Sequence, residues 1–186
     1  MMTTKRLILA SALAALLAMP AAARADVIFT PFAGVSFGGD TNNTKGAFGG
    51  SISFMGNAAG LEIDFSHTPN FFGDDSPVTN GNATTMMANL KFAPHISGRG
   101  VQPYFSGGIG LLRTRLETDD LFDDVTSNDW GFNLGFGVGG YFTTNVGLQG
   151  DVRYFRSFQN IDLADASIPV SNFDFWRASV GLTFKF

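Results

Sequence analysis

The sequence predicts an all-β chain: an eight-stranded antiparallel up-and-down transmembrane β-barrel, preceded by a cleaved signal peptide. Three observations predict it. Apolar and polar residues alternate with period two over eight segments, each near the length a tilted strand needs to cross a bilayer. The connections between segments alternate between short and long. The chain opens with an export signal and contains no later run of 18 apolar residues that would make a transmembrane helix.

The export signal comes first. Lys5 and Arg6 precede an apolar run, Leu7–Met19, and Ala23 and Ala25 occupy the small-residue cleavage positions. This is the grammar of a secretory signal peptide, and the run is too short to span a membrane as a helix. Residues 1–25 are therefore expected to be removed, leaving 26–186 as one domain, the barrel. Lys5, Arg6 and Arg24 leave with the signal while all 16 acidic residues stay, so nine basic residues face 16 acidic ones, a net charge of −7. That balance excludes nucleic acid as a partner, because neutralising phosphates needs a basic surface. With no cysteine, an exported chain has to be held by a core or a closed sheet.

The expected strands are about 27–37, 46–55, 58–67, 84–93, 101–114, 129–142, 145–157 and 175–186. The last shows the pattern most plainly. Trp176, Ala178, Val180, Leu182, Phe184 and Phe186 share one face, and Arg177, Ser179, Gly181, Thr183 and Lys185 the other. The sixth sets Trp130, Phe132, Leu134, Phe136 and Val138 against Gly131, Asn133, Gly135, Gly137 and Gly139. The seventh sets Val146, Leu148, Val152 and Tyr154 against Gly147, Gln149, Asp151 and Arg153; the third sets Leu61, Ile63 and Phe65 against Glu62 and Asp64; the fourth sets Met86, Ala88, Leu90 and Phe92 against Met87, Asn89 and Lys91. Connections near Gly56–Asn57, Pro94–Gly100 and Thr143–Thr144 are short. Those at Gly38–Lys45, Thr68–Ala83, Arg115–Asn128 and Phe158–Asp174 are long and polar.

Three features turn the apolar face outward, toward lipid. The polar face is mostly glycine, serine and asparagine with a few charges of both signs, which suits the crowded inside of a small barrel better than a soluble surface. Aromatics cluster near both strand ends of the apolar face: Phe29, Phe54, Phe92, Phe105, Phe142, Phe184 and Phe186 toward the short turns, and Phe37, Phe48, Phe65, Trp130, Tyr154 and Trp176 toward the long loops. Two such belts fit the two bilayer interfaces. Finally, a closed sheet is the one non-helical way to satisfy every backbone group in lipid.

These residues resemble the small eight-stranded outer-membrane β-barrels of Gram-negative bacteria, the OmpA/OmpX-like group, also described as porin-family or outer-membrane β-barrel domains. Gln102–Gly110, "QPYFSGGIG", resembles the Pro-Tyr, Gly-x-Gly strand of that group. At the C-terminus, Ser179, Gly181, Phe184 and Phe186 resemble its assembly signal. The resemblance implies an integral protein of the outer membrane with both termini periplasmic. It also implies partners: outer-membrane lipid and lipopolysaccharide, and the barrel-assembly machinery during biogenesis. Longer members carry a periplasmic peptidoglycan-binding domain; with the sequence ending at Phe186, that anchoring role is not expected here.

Eight strands enclose an interior that side chains fill, whereas wide channels take 16 or more. The predicted lumen set is Glu62, Asp64, Lys91, Asp151, Arg153, Arg177 and Lys185. Buried charges must pair, so Asp151 is expected near Arg153 or Arg177, and Glu62 or Asp64 near Lys91. The function expected is structural or surface-interacting, in a non-enzymatic monomer without cofactor or metal. Its lumen is plugged and its external loops are free to recognise an unknown surface ligand. The alternatives are a narrow channel or receptor for a small or apolar solute, and a lipid A-modifying barrel enzyme.

Few residues offer chemistry. His95 lies in a short turn, and His67 follows Ser66 near Asp64 and Asp74–Asp75. Adjacent strand residues point to opposite faces, so Ser66 and His67 cannot readily act as nucleophile and base. The loop holding Asp119, Asp120, Asp123, Asp124 and Asp129 lacks EF-hand spacing and reads as a solvated acidic segment, with calcium bridging to lipopolysaccharide phosphates as the alternative. Phe71–Phe72 and Leu121–Phe122 are apolar spots in polar loops, suited to a partner or to the barrel mouth. Asn42–Thr44 and Asn82–Thr84 match a glycosylation sequon that carries little weight in a bacterium.

Overall fold

A computed structural model describes residues 25–41, 43–71, 80–94, 101–117, 125–158 and 173–186. The signal segment lies outside them. Eight strands follow in chain order: β1 (Asp26–Phe37), β2 (Lys45–Met55), β3 (Ala59–Thr68), β4 (Asn80–Phe92), β5 (Val101–Glu117), β6 (Val125–Tyr141), β7 (Val146–Ser157) and β8 (Asp174–Lys185). Each pairs antiparallel with its neighbours, and β8 returns to β1 through pairs such as Ala33↔Val180 and Phe37↔Trp176, closing the barrel. Closure leaves no sheet edge, which in a chain without disulfides is what holds the ends of the sheet together.

The alternation sorts the two faces. Leu134, Val180, Leu90 and Phe105 are each about 60% exposed on the outside, while Glu62, Arg153 and Arg177 are 1% exposed on the inside. Both ends of the sheet, Asp26 and Lys185, lie beside the short turns at Gly56–Ala58 and Phe142–Asn145. The first of those turns is closed by the Gly56 amide donating to the Ala59 carbonyl at 2.9 Å. In the second, Thr143 Oγ1 accepts from the Val146 amide at 2.9 Å, an ST turn.

The strands depart from expectation at the long-loop end. β4 starts at Asn80 rather than 84, β5 runs to Glu117, and β6 begins at Val125. Arg115–Asn128 is therefore not one long loop: Arg115 pairs with Thr126 and Leu116 with Val125. Asp129 belongs to strand β6, opposite Leu112, rather than to a loop. The reason is physical. Beyond the lipid the outward face no longer has to be apolar, so the apolar-out alternation that marks a strand disappears while the hydrogen-bonded ladder continues.

Candidate functional site: the barrel interior

Inward positions on seven strands converge on a band of charge. Glu62 and Asp64 come from β3, Lys91 from β4, Asp151 and Arg153 from β7, and Arg177 from β8. Lys91 Nζ lies 2.9 Å from Glu62 Oε2. Arg153 is the hub: its guanidinium lies 3.0 Å from Glu62, 3.1 Å from Asp151 and 3.5 Å from Asp64. Arg177 grips Asp64 with two parallel bonds of 3.0 and 2.9 Å, the fork geometry that favours Arg over Lys, and lies 3.9 Å from Asp151. Three carboxylates thus face three cations, all buried, and the band is neutral as a whole.

Neutral side chains complete it. Glu62 also accepts from Ser53 of β2 at 3.3 Å and Asn89 of β4 at 3.1 Å, and Asn133 of β6 donates to Asn89 at 2.6 Å. Tyr104 of β5 donates its hydroxyl to Asp151 at 2.8 Å. Lys91 donates to Gln149 at 3.1 Å and sits 4.2 Å above the Tyr104 ring, a cation–π contact. Glycine makes the room. A Cβ on Gly135 would lie 2.8 Å from Ser106 Oγ and 3.1 Å from the Arg153 Nε, and one on Gly137 would collide with the Tyr104 hydroxyl. The polar faces of β5 and β6 are small because their neighbours' long side chains cross in front of them.

The band has unlike neighbours above and below. Toward the long loops lies an apolar cluster of Phe71, Ala83, Met87, Leu112, Phe155 and Phe175. Phe155 and Phe175 stack with centroids 4.8 Å apart, and Phe71 meets Phe175 edge-on at 5.0 Å. Arg177 joins the layers, its guanidinium 4.4 Å from the Phe32 ring and 5.1 Å from Phe155. Toward the short turns lies a cavity of about 350 Å³, bounded above by Lys91 and Tyr104 and at its mouth by Asp26 and Lys185.

The model of the "Outer membrane protein beta-barrel domain" family matches residues 8–186. The chain belongs to that family. It is an integral outer-membrane barrel protein, and its exposed apolar face is the face set against lipid. Among solved structures of similar fold, the N-terminal barrel domain of OprF from Pseudomonas aeruginosa shares 19% identity over 88% of this chain and 99% of that one, with a TM-score of 0.61. Neisserial surface protein A shares 18% over 87% and 97%, with a TM-score of 0.66. Ail of Yersinia pestis shares 14% over 86% and 97%, with a TM-score of 0.53. No curated protein matches the chain.

The outer-membrane barrel does not gather every lumen residue that the sequence suggests. Lys185 stands apart from the band, at the rim, where it pairs with Asp26 at 2.6 Å and both are about two-fifths exposed. It lies too near the end of β8 for its side chain to reach the central carboxylates. Phe29, Phe37, Phe54, Phe65, Phe105, Trp130, Phe142, Tyr154 and Trp176 all lie on the outside, with Tyr154 and Trp176 in ring contact at 5.0 Å. Of the C-terminal set, Ser179 and Gly181 face in, Phe184 faces out opposite Phe29, and the Phe186 amide donates to the Val27 carbonyl at 2.9 Å.

Ser66 and His67 sit on opposite faces: Ser66 pairs inside with Thr85 at 2.8 Å, and His67 pairs outside with Thr84 at 2.9 Å. Phe71, expected to meet a partner or fold onto the barrel mouth, takes the second place and is wholly buried inside the mouth. Among the described residues no group of His, Asp and Glu is placed to hold a metal ion. Phe72, Asp74, Asp75, His95, Asp119, Asp120, Leu121, Phe122, Asp123, Asp124 and Asn42 lie outside the described residues.

Sequence reasoning placed Asn89 and Asn133 on the inward face without a role in the charge band, and gave Tyr104, Asp26, Phe155 and Phe175 no place in the interior. For the last two the signal was present: Phe155 has the parity of Arg153, and Phe175 that of Arg177.

Proposed function

We propose that this protein is a non-enzymatic, monomeric outer-membrane anchor whose interior is plugged and whose long loops present whatever surface recognises a partner. The observation that carries this reading is the layering of the lumen: a neutral, hydrogen-bonded charge band beneath stacked aromatic rings. Small barrels of this strand number fill their interiors with side chains, and here both a polar and an apolar layer do so. Residues 1–25 act as the export signal, both termini face the periplasm, and the assembly machinery recognises Ser179, Gly181, Phe184 and Phe186. The separation of Ser66 from His67 across the sheet argues against the lipid-modifying enzyme. Planar-bilayer recording tests the plug: the folded chain is expected to give no steady single-channel openings, and openings abolished by Arg177→Ala would favour a narrow channel.

The cavity at the short-turn end favours one secondary reading, a receptor site entered from the periplasm by a small solute. A solute whose binding is lost on Tyr104→Phe or Gln149→Ala would support it.

A further inference from the structure

Among the described residues the outer face of the strands carries few cations. Among the described residues, the Lys and Arg side chains on the outer face of the strands are Arg113 and Arg115 of β5 and Arg156 of β7; the rest point inward. Arg156 stands opposite an acid, Asp174, in the β7–β8 ladder. Arg113 has no acid across from it. Its neighbours in register are Thr84 of β4 and Asn128 of β6, and Thr84 in turn pairs with His67 of β3. Arg113 and Arg115 are both exposed.

The row next to it has the opposite chemistry. Phe65, Met86, Leu111 and Trp130 are mutual neighbours across β3, β4, β5 and β6, and all four are exposed apolar side chains. Two residues further along each strand, about 7 Å, the row becomes His67, Thr84, Arg113 and Asn128. An abrupt change from apolar to polar on a lipid-facing surface marks where hydrocarbon ends and headgroups begin. β5 and β6, at 17 residues each, exceed the 9–11 that a tilted strand needs to cross a bilayer, so both continue past that line.

We propose that Arg113 and Arg115, with Thr84 and Asn128 beside them, form a binding site for the phosphate-bearing headgroup of an outer-leaflet lipid, whose chains run down the Met86–Leu111–Trp130 surface. The inference rests on the lipid-embedded orientation proposed above. Charge complementarity selects the headgroup. Guanidinium forks match phosphate oxygens, and hydroxyl and amide neighbours supply further hydrogen bonds. Continuity with the hydrocarbon-facing surface selects a lipid over a free anion.

The test uses the folded mature chain in dodecyl maltoside micelles, titrated with diphosphoryl lipid A or its dephosphorylated form, with bound lipid counted by native mass spectrometry. The wild type is expected to retain the phosphorylated lipid preferentially. Arg113→Gln should weaken retention about tenfold, the loss of one charge-assisted contact. Arg113→Lys should retain most of it, Arg113→Gln with Arg115→Gln should abolish the preference, and Arg156→Gln should leave it unchanged. Equal retention of both lipids, an unaffected double variant, or displacement by inorganic phosphate at the lipid's own concentration would overturn the site. A shift between boiled and unboiled electrophoretic mobility reports folding separately. A chain that folds in micelles without selectivity defeats this site alone, whereas one that does not fold in them defeats the lipid-embedded reading as well.

Discussion

The two halves of the lumen are lined by the same alternate residues of the same strands, yet one is packed and the other hollow. Above Arg153, the rings of Phe155, Phe175 and Phe71 fill the mouth. Below Lys91, a cavity of about 350 Å³ reaches the Asp26–Lys185 rim. A neutral charge band separates them. The difference teaches that an eight-stranded barrel is closed by its largest inward side chains at particular levels, not evenly along its length. It also locates the contrast: the charge band and the aromatic cluster fill the lumen toward the long loops, and the cavity occupies the short-turn half.

Breaking the hub should have the largest effect. Arg153→Ala leaves Glu62, Asp64 and Asp151 with the central cation gone, and removing one member of a buried ion-pair set costs about 3–5 kcal/mol. Urea unfolding in lipid vesicles, followed by tryptophan fluorescence, is the measurement. A change under about 1 kcal/mol would mean that water from the cavity below solvates the carboxylates, and the contrast between the halves would be weaker than the packing suggests.

The cap comes next. Phe155→Ala removes a ring stacked on Phe175 and touched by Arg177, at a cost of about 3 kcal/mol. It should destabilise without opening a conducting path, because the charge band below remains intact. Planar-bilayer recording on the variant therefore separates the two layers. Tyr104→Phe probes the boundary with the cavity. Asp151 loses a 2.8 Å hydroxyl donor but keeps Arg153, so the loss should be about 1–2 kcal/mol, with the same unfolding assay as readout.

How much of this was legible in the residues differs between the halves for a physical reason. Strand count, face assignment and the participation of Glu62, Asp64, Lys91, Asp151, Arg153 and Arg177 in the polar face follow from period two, because a lipid solvent outside enforces strict alternation. The expected pairs form, Asp151 with Arg153 and Glu62 with Lys91, but pairing across the lumen depends on shear and register around a closed sheet, which no local pattern encodes: Arg177 reaches Asp64 on a strand far away in sequence. The aromatic cap was hidden for another reason. Phe155 follows Tyr154 and Phe175 precedes Trp176, so neighbouring aromatics of opposite parity mask the fact that one of each pair points inward. The extensions of β5 and β6 were hidden where the outward face stops being apolar. Arg113 lies at the end of the expected fifth strand and Arg115 just beyond it, and only the ladder puts both on the exterior.

The rim gives the smallest effect and the sharpest check on the hollow half. Lys185 and Asp26 form a 2.6 Å pair, but both are partly exposed. Water screens such a pair, and exposed ion pairs contribute about 0–1 kcal/mol. Lys185→Ala is therefore expected to leave unfolding almost unchanged, in contrast to Arg153→Ala on the same polar face. It should instead change access. A thiol placed at Gln149, on the cavity wall beside Lys91, should react with a small charged reagent faster once the lysine is gone, because the pair stands at the cavity mouth. If Lys185→Ala destabilised the barrel by as much as the hub variant, the rim would have to be part of the packed interior, and the cavity above it would not be in exchange with the aqueous side.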